Sequence, residues 1–512
     1  MDNFKWKWRV EEYDVKETGV TFNCSDEKLK ALFDKCEKLC KVNKKTFGDY
    51  NVLIEGAVYN GVWLETQPMG GEMYAKRDIK TALANILIFL RYQRRDGKMP
   101  GMISILKWFN TVTPHYDWMQ GIFLPYPALK LYYLIKDNDY LNMLYVALKD
   151  FDACLWRERD STKNGCLESW CIWDVGEDNS TVHMLHGLKM PDHGPWSKST
   201  PPTEYPSLPH KSPQYMGYSY AIRTTLAKIS KILNNGEEEY WEAQAKTVQE
   251  NAKTHLWDDK RKAFYLKDKD GKVIDALTQE NIKCMYSGLM TKEMADDFID
   301  NHLLNPEEFF TPYPLPAIAA NSKYFHADKD YSNCHEELEK SGNCAEDINE
   351  NSWSGPLNGL IWQRSITALL NYDRHIETAI FGEKILNLLK DTRILTQNYN
   401  PFTGLPATKG TDGYGPTMLT ALEYISILYG VNIECDNIYF SALSGMSFDY
   451  SQKLGDKIYK LVSDGKICTA YLNDKKLFSF NADYRIKTDM DGNVISIHPL
   501  KKGLDDSNAI IK

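Results

Sequence analysis

Trp170-Cys171-Ile172-Trp173-Asp174-Val175-Gly176-Glu177-Asp178-Asn179-Ser180 sets three carboxylates and two tryptophans within eleven residues. The mixture is too polar for a core segment and too aromatic for a solvated loop. Carboxylates exchange protons and bind hydroxyls, and aromatic faces stack on the C–H faces of pyranose rings. Cleavage of a glycosidic bond needs both kinds of group close together, so the stretch reads as one wall of a sugar-binding site. The competing reading is an acidic turn over packed tryptophans.

Working outward, three more stretches join an aromatic to polar groups and to glycine or proline, each where a loop meets a helical pattern. Trp63 to Asp78 contains Glu65, Gln67, Tyr74 and Arg77. Asn351 to Asn358 contains Trp353 and Gly355, and Gln397 to Gly404 contains Asn398 and Tyr399. In this reading Trp63, Tyr74, Trp118 and Trp353 supply stacking surfaces. Glu65, Gln67, Arg77, Asp78, Gln120, Asn179 and Asn398 hold hydroxyls, and Glu177, Gly355, Asn358 and Tyr414 complete the binding set. Trp170 and Trp173 desolvate Asp178 and so favour its protonated form. An Arg77-Asp78 pair at a helix start also fits a local ion pair.

Between these stretches the apolar residues recur at helical spacing. From Ser25, a candidate N-cap, Leu29, Leu32, Phe33, Cys36, Leu39 and Cys40 mark a helix, and Leu83, Ile86, Leu87 and Leu90 mark another. The pattern of long helix, polar loop, long helix continues to residue 430. It predicts a closed ring of helical hairpins rather than a βαβ fold, and no fixed-period repeat supports a solenoid. Two stretches interrupt it: the proline-rich Met190–Pro213, expected to cover the mouth of the site, and the acidic Ala327–Glu350, expected to face water. After Gly430, short alternating runs separated by turns predict a small antiparallel β domain. The expected organisation is an extended segment over 1–24, the helical domain over 25–430 and the β domain over 431–512.

Composition narrows the function. With 43% hydrophobic and 26% charged residues the chain reads as a soluble globular protein. A net charge of −9 and no basic cluster argue against a nucleic-acid partner. No apolar run approaches the ~18 residues that would span a membrane. The first residues lack the apolar core of a secretory signal, and eleven scattered cysteines fit reduced thiols, so a cytoplasmic location is expected. Cys36 and Cys40 lack a second ligand pair, so no metal or other cofactor is expected. The expected partner is a small carbohydrate, and the sequence leaves room for a homo-oligomer.

These motifs resemble the six-hairpin glycoside hydrolases of the clan that holds trehalases, processing α-glucosidase I and mannosylglycerate hydrolases, across residues 25–430. The resemblance implies an all-α (α/α)6 toroid of helical hairpins followed by the small β domain. Asp174-Val-Gly176-Glu177-Asp178-Asn179-Ser180 is similar to the clan's acid-bearing segment, with Asp where the clan has Glu and Glu where it has an apolar residue. Asn351 to Pro356 resembles its Tyr-Trp-Arg-Gly-Pro motif, with Ser354 in place of arginine. Carried over, Asp178 is the general acid, with Asp174 next in line. The clan's base is a glutamate at the position of Gln397, and an amide cannot take a proton from water. Glu65 and Asp412 are the carboxylates to examine in its place. The resemblance implies an inverting, exo-acting glycosidase on a small oligosaccharide or glycoside, with its two carboxyls ~6.5–9.5 Å apart. The Gln397 departure keeps open a phosphorylase, lyase or epimerase on the same barrel, and a disabled carbohydrate-binding protein.

Overall fold

In Glu27–Val42, Leu29, Leu32, Phe33, Cys36 and Cys40 are buried on one face of a helix, as their spacing predicts. The helix starts one residue later than expected. Asp26, not Ser25, is the N-cap, because its carboxylate accepts the otherwise unpaired amides of Lys28 and Leu29. Ser25 instead donates its amide to the Ser447 carbonyl of the C-terminal region. The structure, a computed structural model, describes residues 5–106, 111–187, 208–327, 353–407 and 412–511.

The described helices are α1 (Glu27–Val42), α2 (Gln67–Tyr74), α3 (Ile79–Arg91), α4 (Pro125–Ile135) and α5 (Asn138–Arg159). Two short ones follow, α6 (Ile172–Val175) and α7 (Thr181–Leu185), then α8 (Pro213–Leu233), α9 (Glu238–Leu256), α10 (Glu280–Tyr286) and α11 (Lys292–Phe298). The last are α12 (Gly359–Leu370), α13 (His375–Thr392) and α14 (Gly415–Leu428). Their packing runs in a cycle: α2 touches α4, α4 touches α8, α8 touches α10, α10 touches α12, α12 touches α14, and α14 returns to α2. Outside it, α3, α5, α9 and α13 each pack on the cycle helix that precedes them, and α1 packs on α14. The cycle helices are buried over most of their surface; every residue of α14 is buried, including Thr417, Thr420, Glu423 and Ser426. A helix buried all round must have neighbours on every side, which is what the second layer provides.

The loops that open onto the site are not strand-free, as the sequence pattern suggested. Val62–Trp63 pairs with Met102–Leu106, Glu168–Ser169 with His210–Lys211, and Leu357–Asn358 with Asn398–Tyr399, all antiparallel. Two-residue pairings give too short an alternation to register in a sequence. Most of Met190–Pro213, nearly all of Ala327–Glu350, and Asn351 and Ser352 lie outside the described residues.

The C-terminal region forms two antiparallel sheets. One contains Tyr429–Glu434, Asn437–Ala442, Tyr484–Asp489 and Val494–Pro499; the other contains Phe448–Leu454, Lys457–Ser463, Ile467–Leu472 and Lys475–Asn481. Thr18–Cys24 joins the second sheet at its edge, in register from Thr18 opposite Leu454 to Cys24 opposite Phe448. The extended N-terminal segment is therefore a strand of the C-terminal sheet. The nine described cysteines are all unpaired. Among the described residues no helix is long and apolar enough to cross a membrane.

Candidate active site

The turn that presents Asp178 is folded around Asp174. One Asp174 oxygen accepts the Met119 amide at 2.9 Å, and the other accepts the Trp170 and Cys171 amides at 2.9 and 3.3 Å. Arg159 closes the fork with contacts of 2.9 and 3.0 Å and stacks over Trp170, 4.0 Å from the ring centroid. Asp174, next in line as acid in the sequence reading, is thus a buried anchor, and Trp170 packs behind the turn. Short helix α6 ends at Gly176, whose φ of +66° is left-handed. A Cβ on Gly176 would overlap the Glu65 carboxylate, so only glycine lets Glu65 approach the turn. Gln120 and Asn179 also take left-handed backbone, at φ +57° and +56°. Such strain in residues other than glycine collects at functional sites and persists only where the surroundings hold it.

Past this turn the two neighbouring acids part ways. Glu177 is buried against Lys283 at 2.9 Å, His183 at 3.0 Å and the Gln279 amide at 2.5 Å. Burial works to raise its carboxyl, but the Lys283 ammonium, with His183, outweighs burial and holds it down at about 2. Asp178 keeps part of its surface open, and Trp353 donates its amide to the Asp178 carbonyl. Its carboxyl is pushed up to about 7, first by burial, then by the negative charges of Glu65 and Glu177, with Lys283 opposing. The same network extends to Glu280, which accepts from Gln214 at 3.0 Å and is raised by burial and by Glu177. Glu177, His183 and Glu280 bring ligand atoms within 4.8 Å of one another and could hold a metal. The Lys283 ammonium already occupies the negative focus of that cluster, so an added cation would be repelled.

Two further carboxyls belong to the same electrostatic neighbourhood as Asp178. Glu65 pairs with the buried Arg364 guanidinium and accepts from Gln120 at 3.2 Å. Gln397, at the position of the clan's base, accepts the Tyr59 hydroxyl at 2.7 Å and donates its amide to the Tyr414 hydroxyl at 3.4 Å. Tyr414 in turn reaches the carboxyl of Glu55, which burial and the charges of Glu65 and Asp178 push up to about 8 against the Thr66 and Tyr414 hydrogen bonds. Trp118 and Trp173 meet edge to face at 4.6 Å. Among the described residues, Trp63 Nε1, Trp118 Nε1, Gln120 Oε1 and Asn358 Nδ2 are buried with no hydrogen-bond partner. Buried polar atoms rarely stay unpaired, and a ligand's hydroxyls could satisfy these.

Other candidates sit apart. Tyr74, Arg77 and Asp78 gather against α1: Arg77 pairs with Glu37, and Asp78 pairs with Lys44 while capping α3 through the Thr81 amide. Asp412 is half-exposed, paired with Lys35 at 2.7 Å. Gln67 accepts from the Trp63 amide and the Thr66 hydroxyl at the start of α2, and Asn398 donates to the Leu357 carbonyl. Asn358 caps α12 through the Leu360 amide. Trp353 is buried beneath Lys283 and Arg364, and a Cβ on Gly355 would meet the His326 backbone at 2.5 Å. Sequence reasoning missed Glu55, Tyr59, Lys283, Glu280 and Arg364. Arg364 lies within a helical pattern and reads as ordinary helix charge, whereas Glu280 and Lys283 fall between the helical segments that the spacing marks out. Glu55-Gly56 precedes Tyr59 and could have been flagged by the rule that joined aromatic, acid and glycine elsewhere.

A protonated carboxyl beside charged ones, with aromatic walls and orphaned polar atoms, is the equipment of a glycosidase. The chain belongs to the mannosylglycerate hydrolase MGH1-like glycoside hydrolase family, whose domain model matches residues 73–415. Solved structures share the fold. The mannosylglycerate hydrolase of Thermus thermophilus in complex with glucose is 16% identical, with a TM-score of 0.58 over 77% of this chain and 99% of that one. Neutral trehalase of Saccharomyces cerevisiae is 13% identical, at 0.53 over 77% and 80%. An α-L-rhamnosidase of Dictyoglumus thermophilum is 12% identical, at 0.54 over 97% of this chain and 49% of that one. A search of the curated proteins finds no match.

Proposed function

We propose that this glycoside hydrolase is an inverting, exo-acting enzyme for a small glycoside or oligosaccharide, with Asp178 as general acid at the mouth of an (α/α)6 barrel. The observation that carries the reading is Asp178 itself: a buried carboxyl on a partly exposed residue, held protonated to about pH 7 by burial and by the charges of Glu65 and Glu177. A general acid works best with a pKa near the working pH. The helix cycle supports the barrel, and the mannosylglycerate hydrolase and trehalase neighbours support a small glycoside as substrate. Glu65, fixed by Arg364 and Gln120, would bind a sugar hydroxyl, and Trp118 and Trp173 would supply the stacking wall. Three separate regions of the chain, 1–24, 25–430 and 431–512, remain the proposed organisation, with the first serving the third. The unpaired, largely buried thiols support a reducing, cytoplasmic setting.

A panel of α- and β-linked para-nitrophenyl glycosides, disaccharides and glycosylglycerates tests this, with product anomer read by NMR. Asp178→Asn should lower kcat on unactivated substrates by ~10²–10⁴-fold, and far less on nitrophenyl glycosides, whose leaving group needs no proton. Retained configuration, or an Asp178→Asn variant as fast as wild type on disaccharides, would sink the reading. Gln397 favours one rival, a phosphorylase, in which phosphate attacks without a base; sugar phosphate formed only with added phosphate would establish it.

A further inference from the structure

We propose that Glu55 is the general base of this enzyme, acting from the loop that faces Gln397 in place of the glutamate missing there. The proposal rests on the hydrolase reading above and supplies the group it lacks.

Three observations single out Glu55. It is connected to the vacated position: Tyr59 donates to the Gln397 oxygen at 2.7 Å, Gln397 donates to Tyr414 at 3.4 Å, and the Tyr414 hydroxyl reaches the Glu55 carboxyl. Each hydroxyl in that chain has one hydrogen, so the Gln397 amide leaves the Tyr414 proton free to point at Glu55. The relay fixes the direction of every bond and holds Glu55 in place. Second, the Glu55 backbone is pinned from both ends of the chain. Asn43 Nδ2 and the Gly415 amide both donate to its carbonyl, at 3.1 and 2.5 Å. The next residue, Gly56, is left-handed, and a Cβ there would overlap the Asn43 side chain. Third, the charges of Glu65 and Asp178 both act on the buried Glu55 carboxyl, so the three acids share one electrostatic neighbourhood.

The other carboxylates are occupied. Glu65 is paired with the buried Arg364 guanidinium and bound by Gln120, so both of its oxygens are engaged. Asp412 is at the surface with Lys35. Asp174 is consumed by Arg159 and three amides. In the reaction, water attacks the anomeric carbon as the bond from that carbon to the leaving oxygen breaks. The Asp178 proton goes to the leaving oxygen, and the Glu55 carboxylate takes one proton from the water. Both groups then re-equilibrate with solvent, and the sum is one water added across one glycosidic bond. With burial favouring its neutral form, an ionised Glu55 is a strong base once formed.

The test uses whichever member of the glycoside panel wild type cleaves. Glu55→Gln should lower kcat by 10³-fold or more on nitrophenyl and unactivated glycosides alike, with KM changed less than threefold. That separates it from Asp178→Asn, which the activated leaving group rescues. The Gln397→Glu change in the Glu55→Gln background should recover at least tenfold of the loss. Glu55→Asp, which keeps the charge should Glu55→Gln fail to fold, should lose tenfold or more in kcat with KM unchanged. A folded Glu55→Gln variant within tenfold of wild type, a Glu55→Asp variant with wild-type kcat, or a gain in kcat from Gln397→Glu alone overturns the role of Glu55. Wild type that cleaves nothing in the panel overturns the hydrolase reading and this proposal with it.

Discussion

Two buried carboxyls set the pH behaviour. In the mechanism proposed above, the productive form carries a proton on Asp178 and none on Glu55. Glu65, Glu177 and Lys283 face Asp178, and Glu65, Asp178 and Tyr414 face Glu55. With Asp178 at about 7 and Glu55 at about 8, both are protonated at low pH and both ionised at high pH. The profile of kcat/KM should be a narrow bell centred near 7.5, its limbs belonging to the coupled pair. The productive arrangement is then the minor singly protonated form, about one part in ten, since one pKa unit is tenfold. The sign for stability follows. Glu55 rises from an ordinary 4.5 to about 8 on folding, so its contribution is fully present below 4.5 and lost as pH climbs to 8. Glu55→Gln should therefore raise Tm over wild type at pH 8.5 and leave it nearly unchanged at pH 4.5. A Tm gain that is larger at pH 4.5 would contradict the burial that sets this shift.

At the scale of elements, the short turn around α6 shows how a carboxylate can be structural in the middle of a site. Asp174 gathers the amides of Trp170, Cys171 and Met119 and the Arg159 guanidinium, tying α5, the turn and the loop before α4 into one unit. Removing one partner of a buried ion pair leaves an uncompensated charge and costs ~3–5 kcal/mol. Asp174→Ala should lower unfolding free energy by about that amount in urea, whereas Asp178→Asn, which removes a charge that burial opposes, should hold or raise it. Equal effects of the two changes would mean the anchor and the acid were assigned the wrong way round. Asp174 and Asp178 both belong to the segment read as catalytic, and nothing in their spacing separates them. Backbone amides decide the matter, and those converge only when the turn is folded.

Across the whole molecule, the chain's start and end are one structural unit. Phe22 of the Thr18–Cys24 strand is buried against Phe33 of α1 at 5.3 Å and against Phe448 and Tyr450 of the C-terminal sheet at 6.4 and 6.1 Å. One side chain thus bridges the first helix, the first strand and the last region. Phe22→Ala should cost ~3–5 kcal/mol, as large aromatic deletions in a core do. Since the strand otherwise covers the open edge of Phe448–Leu454, the variant should also aggregate more readily. A loss under about 1 kcal/mol by urea titration would mean that the bridge contributes little.

The helical periodicity of residues 25–430 and the switch to alternating runs after Gly430 could both be read from local spacing, because burial imposes its period on whichever face turns inward. Through the family resemblance the sequence also placed an amide, Gln397, where the clan carries its base. What it could not determine was where a replacement would lie. Glu55, the base proposed above, is 342 positions away in the chain, next to an ordinary Gly-Ala-Val run, and only the packing of α14 on α2 brings the Gly415 amide onto its carbonyl. The same holds for Lys283 beneath Glu177, for Arg364 on Glu65 and for the N-terminal strand in the C-terminal sheet. Periodicity records which face of an element is buried. Which buried charges meet is decided by how the elements close on one another, and that closure is a property of the tertiary structure alone.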